Sequence, residues 1–336
     1  MNWLKAKDKY EKSKDWIIAN QSSNGHISWD KKGKCDSWDH CECLIALSIY
    51  EEWDSFWKGV KWFFDNINDD GLIFAEFQNG KPSKEYFESH HAPYIILPLL
   101  QASLIDKKQS YKNILTKIQL NKLDRIFKEL NNFKDKDGFY CWAKNDDGYS
   151  DNSLITASMS IHLSIMAKES LAPDLNVNLW DEKFDRDGVD RSRFSMDFYY
   201  PYLAGIKKSK TEFLKVLENF YIKGLGIKCV QEEPWVTIAE SCECVIAALV
   251  HENIQIAEDI FNDIQQFQDS EGIFPTGYQY DLKIFWPEEK STWTNAAVII
   301  AAHALSCSKK PDSTQKNVFL ELSNFFKSNQ TINSFY

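Results

Sequence analysis

The chain has 336 residues and a formal net charge of −10, from 39 basic and 49 acidic side chains. That balance disfavours nonspecific binding to nucleic acid or to anionic lipid. Its eight cysteines do not amount to a disulfide scaffold in a chain this long, and free thiols in the cytoplasm are expected.

The N-terminal stretch MNWLKAKDKYEK lacks the apolar core of a signal peptide. It opens an amphipathic helix over 3–20, which a first near-continuous apolar helix follows from Trp38, with core ECLIALSIY. The same two kinds of segment then recur. Amphipathic, Lys- and Glu-rich helices are expected over 54–67, 111–132, 211–221, 253–267 and 314–328. Segments apolar almost all round begin near Ser89, Asp151, Ser195, Val236 and Thr292. Alanines inside them, such as Ala46, Ala157, Ala247 and Ala301, let helices approach closely. Glycines at 25, 71, 138 and 272 are expected to end helices with a left-handed cap. No β-branched runs alternate with the helices as a parallel sheet would need, and no apolar run reaches membrane-spanning length.

SWDHCECLIALSIY (37–50) and IAESCECVIAALVH (238–251) lie 201 residues apart, and Gly71 matches Gly272 at the same offset. A register held without a gap over about 35 residues marks a repeated supersecondary unit. The first and last of the six apolar segments start 254 residues apart over five steps, about 51 residues per unit, which suits one helical hairpin each. Six hairpins closed into a barrel, an all-α (α/α)6 toroid forming a single domain over 1–336, is the expected fold. Aromatic crowding at the helix starts favours closure over an open solenoid.

Those starts carry the functional expectation. The first apolar helix begins with Trp38, Asp39 and Glu42, the second with His90, His91 and Tyr94, and the third with Asp151. The fourth begins with Arg193, Asp197 and Tyr200, the fifth with Trp235, Glu240 and Glu243, and the sixth with Trp293. In a ring of hairpins all six starts share one mouth, an acidic funnel lined by aromatics. Any single acid there is equally a cap or a dipole partner, Asp39, Asp151 and Asp197 included. Glu42 and Glu243 sit a turn inside apolar helices, where a carboxylate needs a partner or a purpose. Aromatic faces beside carboxylates suit a sugar, and equally a carbocation. Asp39, Asp151, Asp197 and Glu240 are therefore the candidate acid and base. Trp38, Glu42, His91, Arg193, Tyr200, Trp235, Glu243 and Trp293 are the candidate substrate-binding residues.

No metal or cofactor is expected. Cysteines two apart on a helix face different ways and chelate one zinc poorly, and no phosphate loop, nucleophile elbow or dinucleotide fingerprint occurs. Only four arginines stand against 35 lysines, and Arg186, Arg191 and Arg193 lie within eight residues. The cluster reads either as bidentate recognition of a carboxylate or phosphate, or as salt bridges to Asp185, Asp187 or Asp190.

Four phrases, WDHCECLIAL, RFSMDFYYPYLAG, KCVQEEPWVTIAESCECVIAAL and FWPEEKSTWTNAAVIIAAHAL, resemble a bacterial prenyltransferase-like family. That family belongs to the α/α-toroid superfamily of six-hairpin glycosidases, terpenoid cyclases and protein prenyltransferases. QDSEGIF (268–274) is similar to the Gly-turn repeat of the cyclases. The resemblance implies the toroid fold over almost the whole chain. The Asp-x-Asp-Asp acid motif of the cyclases is absent, and the zinc set of the prenyltransferases matches only at Asp39 and Cys41. The expected function is an enzyme acting on a sugar or glycoconjugate by carboxylate acid/base chemistry. Isoprenoid chemistry is the alternative, then a ligand-binding toroid without catalysis. Its partner is a small-molecule substrate, not nucleic acid, and no membrane insertion is expected.

Overall fold

The computed structural model describes residues 3–169, 182–309 and 315–328. The helices in chain order are α1 (Trp3–Lys9), α2 (Glu11–Ala19), α3 (Ser37–Ile49), α4 (Trp53–Asp65), α5 (Ile96–Ile105), α6 (Tyr111–Ile114) and α7 (Lys117–Phe133). There follow α8 (Ile155–Glu169), α9 (Ser195–Leu203), α10 (Lys210–Leu217), α11 (Ile238–Val250), α12 (Ile254–Ile264), α13 (Thr292–Ser308) and α14 (Val318–Ser328). Helices α3, α5, α8, α9, α11 and α13 are buried over nearly their whole surface, as their all-round apolarity requires. Helices α4, α7 and α12 bury one face only. The amphipathic helix expected over 314–328 starts at Val318, and residue 314 lies outside the described residues.

Two starts are displaced from their expected places. The second buried helix begins not at Ser89 but with a single 3-10 turn, Pro93–Ile95, with proline in the first position, where its missing N–H costs no helical hydrogen bond. The third begins at Ile155 rather than Asp151, since the segment before it is held extended by Trp142 N–H to Asn152 O and a bridge of Cys141 to Ser153.

The chain forms two compact units, one of residues 21–191 and one of residues 3–20 with 192–328. In the first, α3 packs against α4 and α5, and α5 against α8. In the second, α11 packs against α9, α12 and α13, and α13 receives α2 from the start of the chain. Ser13 Oγ donates to Asn295 Oδ1 at 2.9 Å, and Trp16 Nε1 to the Lys290 carbonyl at 3.0 Å.

Short strands, which the sequence did not disclose, fringe the helices. In chain order they are β1 (Lys34–Asp36), β2 (Glu76–Gln78), β3 (Lys81–Lys84), β4 (Phe87–Glu88), β5 (Ala143–Asn145), β6 (Gly148–Tyr149), β7 (Tyr221–Ile222), β8 (Gly226–Lys228), β9 (Trp235–Thr237), β10 (Gly277–Gln279) and β11 (Ile284–Phe285). All pairings are antiparallel, in the orders β1-β2-β3, β4-β5-β6 and β11-β10-β9-β8-β7. At two to four residues each they are too short for a period-two pattern to stand out.

The glycine turns also differ from expectation. Helices α2, α4 and α7 end on Asn20, Asn66 and Lys134, none in the left-handed region. Gly25, Gly71, Gly138 and Gly272 stand further on, at φ between 82° and 103°, each closing a turn opened three residues earlier by Ser22, Asn68, Asp135 or Asp269. Asn68, Asp135 and Asp269 each accept two backbone N–H groups on one side-chain oxygen, which explains the polar residue at the turn's head.

The repeat is longer than its sequence trace. β1 with β2 and β9 with β10 pair in the same register at the 201-residue offset, Lys34 with Gln78 and Trp235 with Gln279. Helices α3 and α11 begin directly after β1 and β9, and the turn that ends each carries a glutamate at positive φ, Glu51 at 63° and Glu252 at 59°. At this offset Asp39 corresponds to Glu240 and Glu42 to Glu243.

Candidate active site

In the unit of residues 21–191, α3 is capped by Asp36, whose Oδ1 accepts Trp38 N–H at 2.8 Å and Asp39 N–H at 3.3 Å. Asp39, read as a cap among its alternatives, is therefore not the cap, and its half-buried side chain lies in the helix's first turn. Glu42 follows one turn on, buried. Tyr94 donates to its Oε1 at 2.5 Å, and the Trp38 ring meets Tyr94 edge-on at 5.6 Å between centroids. Burial pushes the Glu42 carboxyl up to about 7, against the pull of the Tyr94 hydrogen bond.

His91 is buried, with Nε2 3.5 Å from Glu88 Oε2 and 3.7 Å from Asp36 Oδ1. Tyr86 donates to the other oxygen of Glu88 at 2.9 Å. His90 stacks edge-on between Trp38 at 5.1 Å and His91 at 4.6 Å. Burial, then the charges of His91 and Arg186, hold His90 well below the ordinary histidine range. Glu88, His90 and His91 offer ligand atoms within 4.8 Å of one another, a spacing open to a cation, though the Arg186 charge beside His90 opposes one. Asp151 stands apart from these groups, exposed, on the wall of a cavity of about 530 Å³ shared with Tyr86, Trp142 and Tyr149.

In the other unit, Glu240 sits in the first turn of α11, buried, accepting from the Thr237 hydroxyl and the Cys229 thiol. Burial raises its carboxyl above the usual range in spite of both donors. One turn on, Glu243 accepts from the Tyr199 hydroxyl, and from Tyr200 at 3.0 Å. Asp197 lies buried in the first turn of α9, beside no side-chain cap. Trp235, in β9, donates from Nε1 to the Trp286 carbonyl at 2.6 Å and lies against the Gly277 backbone, where an added Cβ would stand 2.4 Å from that nitrogen. Trp293 is half-buried at the start of α13.

The arginine cluster resolves into separate roles. Arg193 pairs with Glu232, the Arg191 backbone N–H donates to Asp185 Oδ1 at 3.1 Å, and the Arg186 guanidinium lies over the Trp142 ring at 4.6 Å. Thus Tyr200 and Glu243 are in contact, and Trp38 and Glu42 share Tyr94. Sequence reasoning missed Asp36, Tyr86 and Trp142. Of these only Asp36 had a local signal, an aspartate directly before an apolar-periodic run. None of the eight cysteines forms a disulfide.

No family model matches the chain. An MMP endo-(1,4)-3-O-methyl-alpha-D-mannosidase from Mycolicibacterium hassiacum is 28% identical over 301 residues, covering 85% of this chain and 83% of that protein. Among solved structures, a D-mannose isomerase superposes with a TM-score of 0.65 at 10% identity, and a wild-type glycosidase with 0.62 at 11%. Each comparison covers 89% of this chain and 96% of the other. A cellobiose 2-epimerase from Spirochaeta thermophila gives 0.59 at 10% identity, covering 92% and 98%. These likenesses show the fold: the chain is mostly helical, of the (α/α)6 toroid, six-hairpin glycosidase-like class, without a sheet barrel. None of the proteins named here is a prenyltransferase. Among the described residues no helix is long and apolar enough to cross a membrane.

Proposed function

We propose that the protein is a glycoside-cleaving enzyme acting on an α-mannosidic or related saccharide through carboxylate acid/base chemistry. The observation that carries this reading is the repeat: Asp39 and Glu240 occupy equivalent first-turn positions of α3 and α11, each followed one turn on by a tyrosine-bonded glutamate. Glycoside cleavage needs one carboxyl still protonated near neutrality, to give a proton to the leaving oxygen, and one ionised carboxylate to activate water or stabilise positive charge. Glu240, raised by burial, is the acid. The base is drawn from Asp39 and Asp197, with Asp197 favoured because its helix α9 packs against α11 in the same unit. Glu42 and Glu243 are held by their tyrosines and serve to position substrate and neighbouring side chains. The mannosidase relative supplies the saccharide class.

The isoprenoid reading, which goes with the prenyltransferase-like family, predicts a ligand carrying a diphosphate. Cysteines without disulfides fit a reducing compartment, the cytoplasm, and the chain is taken as one domain over 1–336. A thermal-shift and reducing-end screen tests the reading. The panel is α-(1,4)-linked mannosides of two to six units, with and without 3-O-methyl groups, together with glucosides and prenyl diphosphates. Stabilisation and new reducing ends with a mannoside are expected. Stabilisation by a prenyl diphosphate and by no saccharide would overturn the proposal in favour of isoprenoid chemistry.

A further inference from the structure

The cavity of about 530 Å³ in the 21–191 unit falls in the size range of small-molecule sites, and no step proposed above uses it. Its walls are built from β5, β6 and the residue before β4. Tyr86 and Trp142 are half-buried and Tyr149 is exposed at 38%. Asn145, Asp147 and Asp151 supply polar groups, two of them carboxylates, while the Lys144 ammonium lies over the Tyr149 ring at 5.1 Å.

The aromatic side chains are held in place before any ligand arrives. The Trp142 backbone is fixed by its amide N–H to Asn152 O at 2.9 Å and by Ser89 N–H to its carbonyl at 3.0 Å, and Arg186 is stacked on its ring. Tyr86 meets Trp142 edge-on at 5.9 Å and is tethered through its hydroxyl to Glu88. Tyr149 rests against Phe133 at 5.1 Å. Rigid aromatic faces bordered by carboxylate and amide oxygens match a pyranose, whose C–H face stacks while its hydroxyls donate. From the wall, Tyr86 donates to Glu88, and His91 lies 3.5 Å from Glu88 and 3.7 Å from Asp36, so a chain of contacts links the cavity to the α3 cap.

We infer that this cavity is an extended subsite for sugar units of a saccharide chain, with Trp142 and Tyr149 as stacking platforms and Asp151 as a hydrogen-bonding residue rather than the acid or base. The inference rests on the saccharide reading above and narrows it to a chain-binding enzyme. It also removes Asp151 from the catalytic candidates.

The test compares Michaelis kinetics of wild type, Trp142→Ala, Tyr149→Ala and Asp151→Asn on the two-unit and six-unit members of the α-(1,4)-mannoside panel. Trp142→Phe is the conservative control, and melting curves monitor folding. The subsite predicts that Trp142→Ala raises KM for the six-unit substrate about tenfold while kcat stays within about twofold, with the two-unit kinetics unchanged and Trp142→Phe largely restoring KM. Tyr149→Ala, at an exposed position, gives the same pattern more weakly should Trp142→Ala fold poorly. Asp151→Asn raises KM and leaves kcat. Loss of kcat in Asp151→Asn would overturn the assignment of Asp151. Unchanged six-unit KM in both aromatic variants would overturn the subsite while leaving the enzyme reading intact. A wild type that neither binds nor cleaves any saccharide would sink that reading, and this inference with it.

Discussion

Tyr94 donates its hydroxyl hydrogen to Glu42 at 2.5 Å, joining the second buried helix of the chain to the first across 52 residues. The repeat copies the arrangement with a change: at the position equivalent to Glu42, Glu243 accepts from two tyrosines, Tyr199 and Tyr200, that precede it in the chain. In both cases a carboxylate inside an apolar helix is tolerated because phenols reach it, since an unpartnered buried charge would be far more costly.

The Glu42 carboxyl, at about 7 when folded, makes stability depend on pH. A carboxyl raised above its unfolded value contributes stability that is full below about 4.5 and is lost as pH rises through 7. The loss by pH 8 is of the order of 3 kcal/mol. Glu42→Gln removes this dependence. The difference in unfolding free energy between Glu42→Gln and wild type, followed by denaturant titration from pH 4.5 to 8, is expected to shift in favour of the variant as pH rises. A flat difference would show that Glu42 titrates normally.

Removing the donor has the opposite sign. Tyr94→Phe leaves the Glu42 carboxylate with one charged hydrogen bond fewer, a cost of about 2 kcal/mol at pH 8 that shrinks toward pH 4.5. Tyr200→Phe is expected to be milder, because Tyr199 still serves Glu243. Equal losses in the two variants would contradict the two-donor arrangement.

Gly25 adopts φ 103°, and a Cβ there would stand 2.1 Å from the Lys58 carbonyl oxygen; Gly205 has φ 74° with open space around it. Gly205→Ala is therefore expected to cost only the left-handed strain, about 1 kcal/mol, and Gly25→Ala more than about 3 kcal/mol. Chemical denaturation of the two variants side by side checks the order.

Asp36→Ala should cost about 1 kcal/mol through loss of the α3 cap, with Asp36→Asn largely sparing it. Equal melting temperatures for all three proteins would show that the cap contributes nothing.

The buried helices were legible because ECLIALSIY and NAAVIIAAHAL are apolar on every face, and the repeat because Cys-Glu-Cys recurs in register. The tyrosine partners of Glu42 and Glu243 were not, since residues 44 and 52 positions apart leave no local pattern. Trp142 escaped notice for a related reason. It stands in a polar connection, where only the pairing of β4 with β5 reveals what it faces. Asp151 looked like a helix-start acid because Ser153 and Leu154 blend into the apolar run, whereas backbone bonding holds the segment extended up to Ile155.

The central claim is that a carboxylate pair cleaves a glycosidic bond, and the most direct measurement is the rate of new reducing ends released from an α-(1,4)-mannoside by wild type, Asp197→Asn and Glu240→Gln at matched folding. The account predicts wild-type cleavage, with each amide variant slower by about 10²–10⁴-fold and its melting temperature nearly unchanged. Cleavage by Glu240→Gln at the wild-type rate, or loss of activity that merely tracks a fall in melting temperature, would contradict it.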